Sequence, residues 1–148
     1  MSKSFLLGLV IALAATAATA IAAGPVTRQA QEQEQARVPD DERKAAEARW
    51  LAARESAERK VREGNYVAAL QYYLEYTSQA EKMGRPGLVA WGKNNAAHMI
   101  IRMHIEDPSF DLAPAKKMLE EGLAIAGATE ECREALARNL EYVTSFLR

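Results

Sequence analysis

Two histidines and one cysteine are the side chains in this sequence best suited to metal binding or nucleophilic catalysis. His98 and His104 lie six residues apart, which on a helix turns them about 240° from each other, so they cannot chelate one metal ion together. His104 with Glu106 and Asp107 is a weaker metal candidate, for which a solvated helix end is the better interpretation. Because the sequence also lacks a Ser-His-Asp order, a zinc-ligand spacing and a phosphate loop, we predict no catalytic residue, no metal site and no cofactor.

Cys132 is predicted to be a structural thiol. It falls in the first turn of a predicted helix, where the helix dipole lowers the pKa of a thiol, but Glu130 and Glu131 act in the opposite direction. It also shares an apolar stripe with Leu136 and Leu140. We therefore expect burial rather than reactivity, and a single cysteine excludes a disulfide within the chain.

Tyrosines are concentrated in the predicted second helix, at Tyr66, Tyr72, Tyr73 and Tyr76. One helical stripe cannot bury this many aromatic rings. Tyr72 and Tyr76 lie one turn apart, and we expect them to form an exposed patch that a partner binds.

The N-terminus predicts export. Residues 1–23 contain one lysine, then an apolar run from Phe5 to Leu13, and then small residues with candidate cleavage sites, which is the order of a secretory signal peptide. A retained membrane anchor is the alternative, because Phe5 to Ala23 is 19 residues, close to the length that spans a bilayer. The expected location is periplasmic or secreted, and a membrane is involved only if the signal is retained.

Residues 24–39 follow as a polar segment rich in Gln, Glu and Arg. Such a segment buries too little apolar surface to offset its ordering entropy, so we predict a flexible linker. Acidic and basic residues are interspersed along the whole chain, with a formal net charge of −1. No face of concentrated positive charge is therefore predicted, and nucleic acid is not an expected partner.

From residue 40 to residue 148 the apolar residues recur at helical spacing, and no segment alternates like a strand. We predict an all-α domain of five antiparallel helices with short connections. Breaks are expected at Gly64-Asn65, at Gly84-Arg85-Pro86, around Pro108 and at Gly127. The expected capping residues are Asp40 or Asp41, Asp111 and Thr129. The third helix is the most apolar and should be the most buried, and the fifth carries a stripe of Cys132, Leu136, Leu140, Val143 and Leu147.

The first two predicted helices resemble a tetratricopeptide repeat. Ala57, Gly64, Tyr66, Ala69 and Tyr73 have the relative spacing of that family's small, glycine, aromatic, alanine and aromatic positions. A second, more degenerate match runs through Ala97, Leu112, Ala115 and Leu119. The sequence departs from the family pattern at Ala53, Lys60, Tyr76 and Pro86. The resemblance implies two degenerate helical hairpins over about residues 47–126, with the fifth helix as a C-terminal cap.

The resemblance also implies a binding surface. In this family the first helix of each hairpin lines a concave surface, on which asparagines hydrogen-bond a peptide backbone. The resemblance implies that Asn95 or Asn94 takes that place in the third helix, with Arg102 and Arg54 or Arg59 available to meet a carboxylate. A solvated polar edge is the competing interpretation of the same residues.

These expectations combine into an exported tetratricopeptide-like module that binds a protein or peptide in the cell envelope and catalyses nothing. The candidate binding residues are Asn94, Asn95, Arg102, Tyr72 and Tyr76. Two hairpins make a short array, so homo-oligomerisation or docking on a larger assembly is also expected. The alternatives are a metal-handling or enzyme-accessory bundle in the periplasm, and a membrane-tethered structural spacer.

Overall fold

The computed structural model describes residues 39–147, and these form helices joined by short turns, with no strand among them. The five helices are α1 (Asp40–Arg62), α2 (Tyr66–Lys82), α3 (Pro86–Glu106), α4 (Ala113–Leu123) and α5 (Glu130–Phe146). The predicted all-α class is confirmed. Within the described residues, no helix has the length and hydropathy needed to cross a membrane. The predicted signal peptide and nearly all of the linker lie outside these residues.

Two glycines reverse the chain between the first three helices. Gly64 has a φ of 72° and Gly84 a φ of 63°, a left-handed conformation in which a Cβ atom is strained. After Gly64, the Asn65 side chain accepts a hydrogen bond from the Ala68 amide at 3.0 Å and so caps α2. After Gly84, Pro86 occupies the first turn of α3, where its missing N–H costs little. Both predicted breaks are confirmed.

Helix α3 occupies the centre of the domain. It packs against α2, α4 and α5, whereas α1 packs against α2 alone among the described helices. Ten of its 21 residues are buried, which confirms the prediction that the third helix is the most buried. Small side chains allow this close packing, since Ala57, Ala69, Ala97 and Ala115 are all fully buried in the core.

Three predicted helix ends differ from the structure. Helix α4 ends at Leu123 and not at Gly127; Gly127 instead lies so close to the Pro86 ring that a Cβ atom there would be 2.6 Å from Pro86 Cγ. The N-cap of α1 is Pro39, and no aspartate side chain caps that helix. The N-cap of α4 is Leu112 and not the predicted Asp111, although the Asp111 carboxylate accepts the Ala113 N–H at 2.9 Å. Thr129 caps α5 as predicted, but Leu147, at the end of its stripe, is 45% exposed.

Candidate functional site

The prediction that Tyr72 and Tyr76 form an exposed patch on α2 is wrong for Tyr76. This side chain is only 5% exposed and packs between Trp50 of α1, at 5.3 Å between ring centroids, and Tyr73 of α2, at 6.5 Å. Burial raises the pKa of the Tyr76 phenol. Tyr72 points away from this cluster and is 37% exposed. Both α1 and α3 cover α2, so α2 buries more than one helical stripe. Tyr76 lies on this additional buried side, which the spacing of the apolar residues does not show.

Asn94 lies inside the contact between α3 and α5. Its Oδ1 accepts a hydrogen bond from Asn139 Nδ2 at 2.9 Å, and its Nδ2 donates to Asn95 Oδ1 at 3.3 Å. The Asn94 side chain is buried and that of Asn95 is half-buried. A buried amide whose groups are already bonded stabilises the packing of two helices. In this structure Asn94 therefore joins α3 to α5.

Arg102 faces a different neighbour from Asn94. Its guanidinium donates to the Tyr66 hydroxyl at 2.5 Å and lies 4.8 Å from the centroid of the Tyr66 ring. Tyr66 begins α2, so this contact joins the last turns of α3 to the first turn of α2. Three of the five predicted binding residues thus contact three different helices: Asn94 contacts α5, Arg102 contacts α2, and Tyr76 contacts α1. These three do not form one binding surface.

The candidate metal-binding and reactive side chains are placed in structural roles. His104 Nδ1 lies 2.8 Å from the carbonyl oxygen of Phe110, and no group of three His, Cys, Asp or Glu side chains within residues 39–147 is arranged to hold a metal ion. Burial, together with the nearby Arg102, lowers the pKa of His98. The Cys132 side chain is fully buried, and this burial raises the pKa of its thiol. The prediction of a buried cysteine is confirmed.

Exposed apolar side chains gather at one end of the domain. Because successive helices alternate in direction, α1, α3 and α5 end there, and α2 and α4 begin there. Nine large hydrophobic side chains are exposed among the described residues, and six of them are at this end. We call these six residues the apolar end: Val67, Ile105, Phe110, Tyr142, Phe146 and Leu147.

Aromatic contacts connect the parts of the apolar end. The Phe146 ring lies 4.9 Å from the Tyr142 ring and 5.6 Å from the His104 ring, centroid to centroid. His104 in turn contacts the backbone of Phe110. Helix α5, the end of α3 and the loop before α4 therefore present a joined surface. The sequence signal that points to it is the pair Tyr142 and Phe146, one turn apart in α5 and outside its buried stripe.

An open cleft of about 420 Å³ adjoins the apolar end between α2 and α3. Its apolar lining comes from Tyr66, Val67, Met103 and Phe110, and its acidic lining from Glu63, Glu106 and Asp107. The cleft is large enough for a long side chain and offers that side chain both apolar contact and negative charge.

A smaller groove of about 220 Å³ lies on another face, between α2, α3 and α4. Leu74, Ala96 and Met118 contribute to its apolar lining. At its rim, Lys93 Nζ bonds Glu121 Oε2 at 2.7 Å. Lys93, which precedes Asn94 and Asn95 in α3, is thus paired with a carboxylate of the protein itself.

Comparison with protein-family models, with curated proteins and with solved structures finds no match to this chain in any of the three. The apolar end and its cleft are therefore interpreted from their own geometry.

Proposed function

We propose that this chain is an exported helical interaction module that binds a protein or peptide partner in the cell envelope through its apolar end. Its residues 1–23 act as the signal peptide, and its first four helices act as two tetratricopeptide-like hairpins capped by α5. The module positions a partner and has no catalytic activity of its own. The gathering of six of nine exposed large hydrophobic side chains at one end carries this proposal.

The size of the apolar end supports the proposal. Its six side chains are 37–56% exposed, and a large side chain has about 200 Å² to bury, so together they offer roughly 500 Å² of apolar surface. The largest apolar patch on a monomer is commonly about 300–600 Å² and is often functional. A standard interface buries about 800 Å² on each partner. The apolar end therefore supplies more than half of one side of such an interface.

The elements that carry the apolar end also favour binding. Ile105, Tyr142 and Phe146 belong to helices and Val67 to the first turn of α2, so most of its side chains start from backbone that packing holds in place. Fewer degrees of freedom are then lost when a partner binds. Aromatic side chains at the centre of such a patch are the residues that usually contribute most to affinity.

Site-specific photocrosslinking tests the proposal in cells that produce this protein. A benzophenone amino acid is placed at Phe146 in one variant and at Leu51 in a matched control, because Leu51 is also exposed, at 47%, but lies outside the apolar end. We expect position 146 to crosslink one discrete partner and position 51 to crosslink none. Phe110→Ser should then abolish the crosslink from position 146, whereas Leu74→Ser should leave it intact.

Two results would contradict the proposal. Equal crosslinking from positions 146 and 51 would indicate a non-specific apolar surface. A discrete partner at position 51 alone would move the interface away from the apolar end. Circular dichroism of each purified variant shows whether its helices are intact.

A further inference from the structure

We propose that the partner segment bound at the apolar end carries a lysine or arginine, whose side chain enters the cleft between α2 and α3. This inference rests on the proposed function and specifies the chemistry of the partner. It predicts a binding segment in which a basic residue stands beside large apolar residues.

The C-terminal end of α3 is open among the described residues. The carbonyls of His104, Ile105 and Glu106 receive no hydrogen bond from any described residue. Pro108 has no N–H to donate to His104, and the next two amides both turn to Asp107: Ser109 N donates to its Oδ1 at 2.9 Å, and Phe110 N donates to its carbonyl at 3.1 Å. Free carbonyls at a helix C-terminus carry partial negative charge and favour a cation nearby.

The ends of α1 and α2 are closed by comparison. Asn65 N donates back to the Lys60 carbonyl at 2.9 Å, and Arg85 N donates back to the Ala80 carbonyl at 3.0 Å. Gly64 N and Gly84 N also donate, to the carbonyls of Val61 and Glu81, so that only the final residue of each helix keeps a carbonyl without a backbone donor among the described residues. Helix α3 differs because Asp107 is extended, with a φ of −140° and a ψ of 103°. Its three unbonded carbonyls therefore lie at the helix end that carries Glu106, a residue of the cleft.

Negative charge in the cleft is only partly compensated by salt bridges among the described residues. Three carboxylates line the cleft. Glu63 is paired with Lys60 Nζ at 2.6 Å, but Glu106 and Asp107 have no lysine, arginine or histidine partner within 4.0 Å among the described residues. Arg59 and Arg62 lie near Glu63, and His104 lies near Asp107 without forming a salt bridge to it. Arg102, a further cation of this region, is held by the Tyr66 hydroxyl and ring. An incoming cation would therefore meet two unpaired carboxylates.

Apolar side chains line the cleft next to those carboxylates. Val67 is 53% exposed and Phe110 is 42% exposed, on a cleft that Met103 also lines. A lysine or arginine has a long aliphatic stem that covers apolar surface while its charged group reaches polar atoms. A bare metal ion would use the carboxylates and carbonyls but not the apolar lining, and no cluster of three His, Cys, Asp or Glu ligands exists within residues 39–147. The combination of both linings selects a basic side chain.

The test is a selection from a phage-displayed library of random twelve-residue peptides on the immobilised full chain. We expect the retained peptides to be enriched in Lys or Arg next to aromatic or aliphatic residues. Synthetic copies should bind a Glu106→Gln, Asp107→Asn variant about fivefold more weakly, the effect of removing two exposed charge pairs. The amide oxygen introduced at position 107 still accepts the Ser109 N–H, so the turn is preserved. Glu81→Gln, Glu130→Gln is the matched control at the opposite end and should bind as the wild type does.

The outcomes separate this inference from the proposed function. One outcome would overturn the basic-residue inference while supporting binding at the apolar end. In it the retained peptides lack basic residues, bind the Glu106→Gln, Asp107→Asn variant as tightly as the wild type, and fail to bind Phe146→Ser. Peptides indifferent to both changes, or no retained peptide, would overturn both. A dimer by light scattering that Phe146→Ser dissociates, without enrichment of basic peptides, would replace the peptide by a second copy of this chain.

Discussion

Gly92 lies where α3 presses on α2, and Gly92→Ala is expected to destabilise the domain by about 2 kcal/mol. A Cβ atom built at Gly92 would overlap Thr77 Oγ1 and would lie 2.9 Å from Tyr76 Cδ1. Neither group moves freely. Thr77 Oγ1 donates to the Tyr73 carbonyl at 2.8 Å, and the Tyr76 ring is enclosed by Trp50.

The magnitude combines opposing contributions. Replacing glycine by alanine inside a helix stabilises it by about 1 kcal/mol. Overpacking a tight contact costs about 1–3 kcal/mol, and displacing the Thr77 hydroxyl from its acceptor costs about 1 kcal/mol. Overpacking and the lost bond exceed the gain in helix propensity, which leaves a net loss of about 2 kcal/mol.

Urea unfolding followed by circular dichroism measures this change, and a double-mutant cycle assigns its cause. Thr77→Ala removes the hydroxyl that the new methyl group meets, so the Gly92→Ala substitution should cost about 1 kcal/mol less in that background. Ala137→Gly, at an exposed position of α5, measures the helix-propensity contribution alone. A Gly92→Ala protein as stable as the wild type, or a cycle with purely additive effects, would refute this reasoning.

Three further predictions concern the polar and reactive groups of the core. Arg133 donates to three carbonyls, those of Leu123, Ile125 and Ala128, at 3.1–3.4 Å. Arg133→Met removes these bonds and should lower the free energy of unfolding, measured in urea, by about 2 kcal/mol. A loss below about 0.5 kcal/mol would contradict a stabilising role for Arg133. Burial and Arg102 lower the pKa of His98, so the His98 imidazole binds a proton more readily in the unfolded chain than in the folded one. The contribution of neutral His98 to the free energy of unfolding should therefore be fully present above about pH 6.5 and should fall as the pH drops towards 5. His98→Gln should reduce this fall, which urea midpoints at the two pH values can check. The buried Cys132 thiol should react with Ellman's reagent only as fast as the domain opens. The rate of this reaction should therefore rise with denaturant concentration, and a rate that stays constant would be inconsistent with burial of the thiol.

Local sequence chemistry determined the secondary structure of this domain. Helical spacing of the apolar residues predicted five helices, and the glycines at 64 and 84 predicted two of the turns. These features depend on residues close in sequence: which side chains share a helix face, and which residue tolerates a left-handed backbone. The buried state of Cys132 was predictable for the same reason, because its stripe contains Leu136.

The candidate site depended on contacts that no local pattern contains. Tyr76 is buried because α1 and α3 cover α2 from two sides, and Asn94 is occupied because Asn139 of α5 faces it. The open end of α3 follows partly from Pro108, which is visible in the sequence. That this end of α3 lies beside Val67 follows only from the packing of α2 against α3.

Helix boundaries, to within a few residues, and most of the buried helix faces were thus predictable from the order of the residues; Tyr76 and Leu147 are exceptions. The gathering of the six residues of the apolar end depends instead on how the helices pack. The physical reason is that helix boundaries follow from neighbours in the chain, whereas a binding surface follows from the directions in which packed helices run.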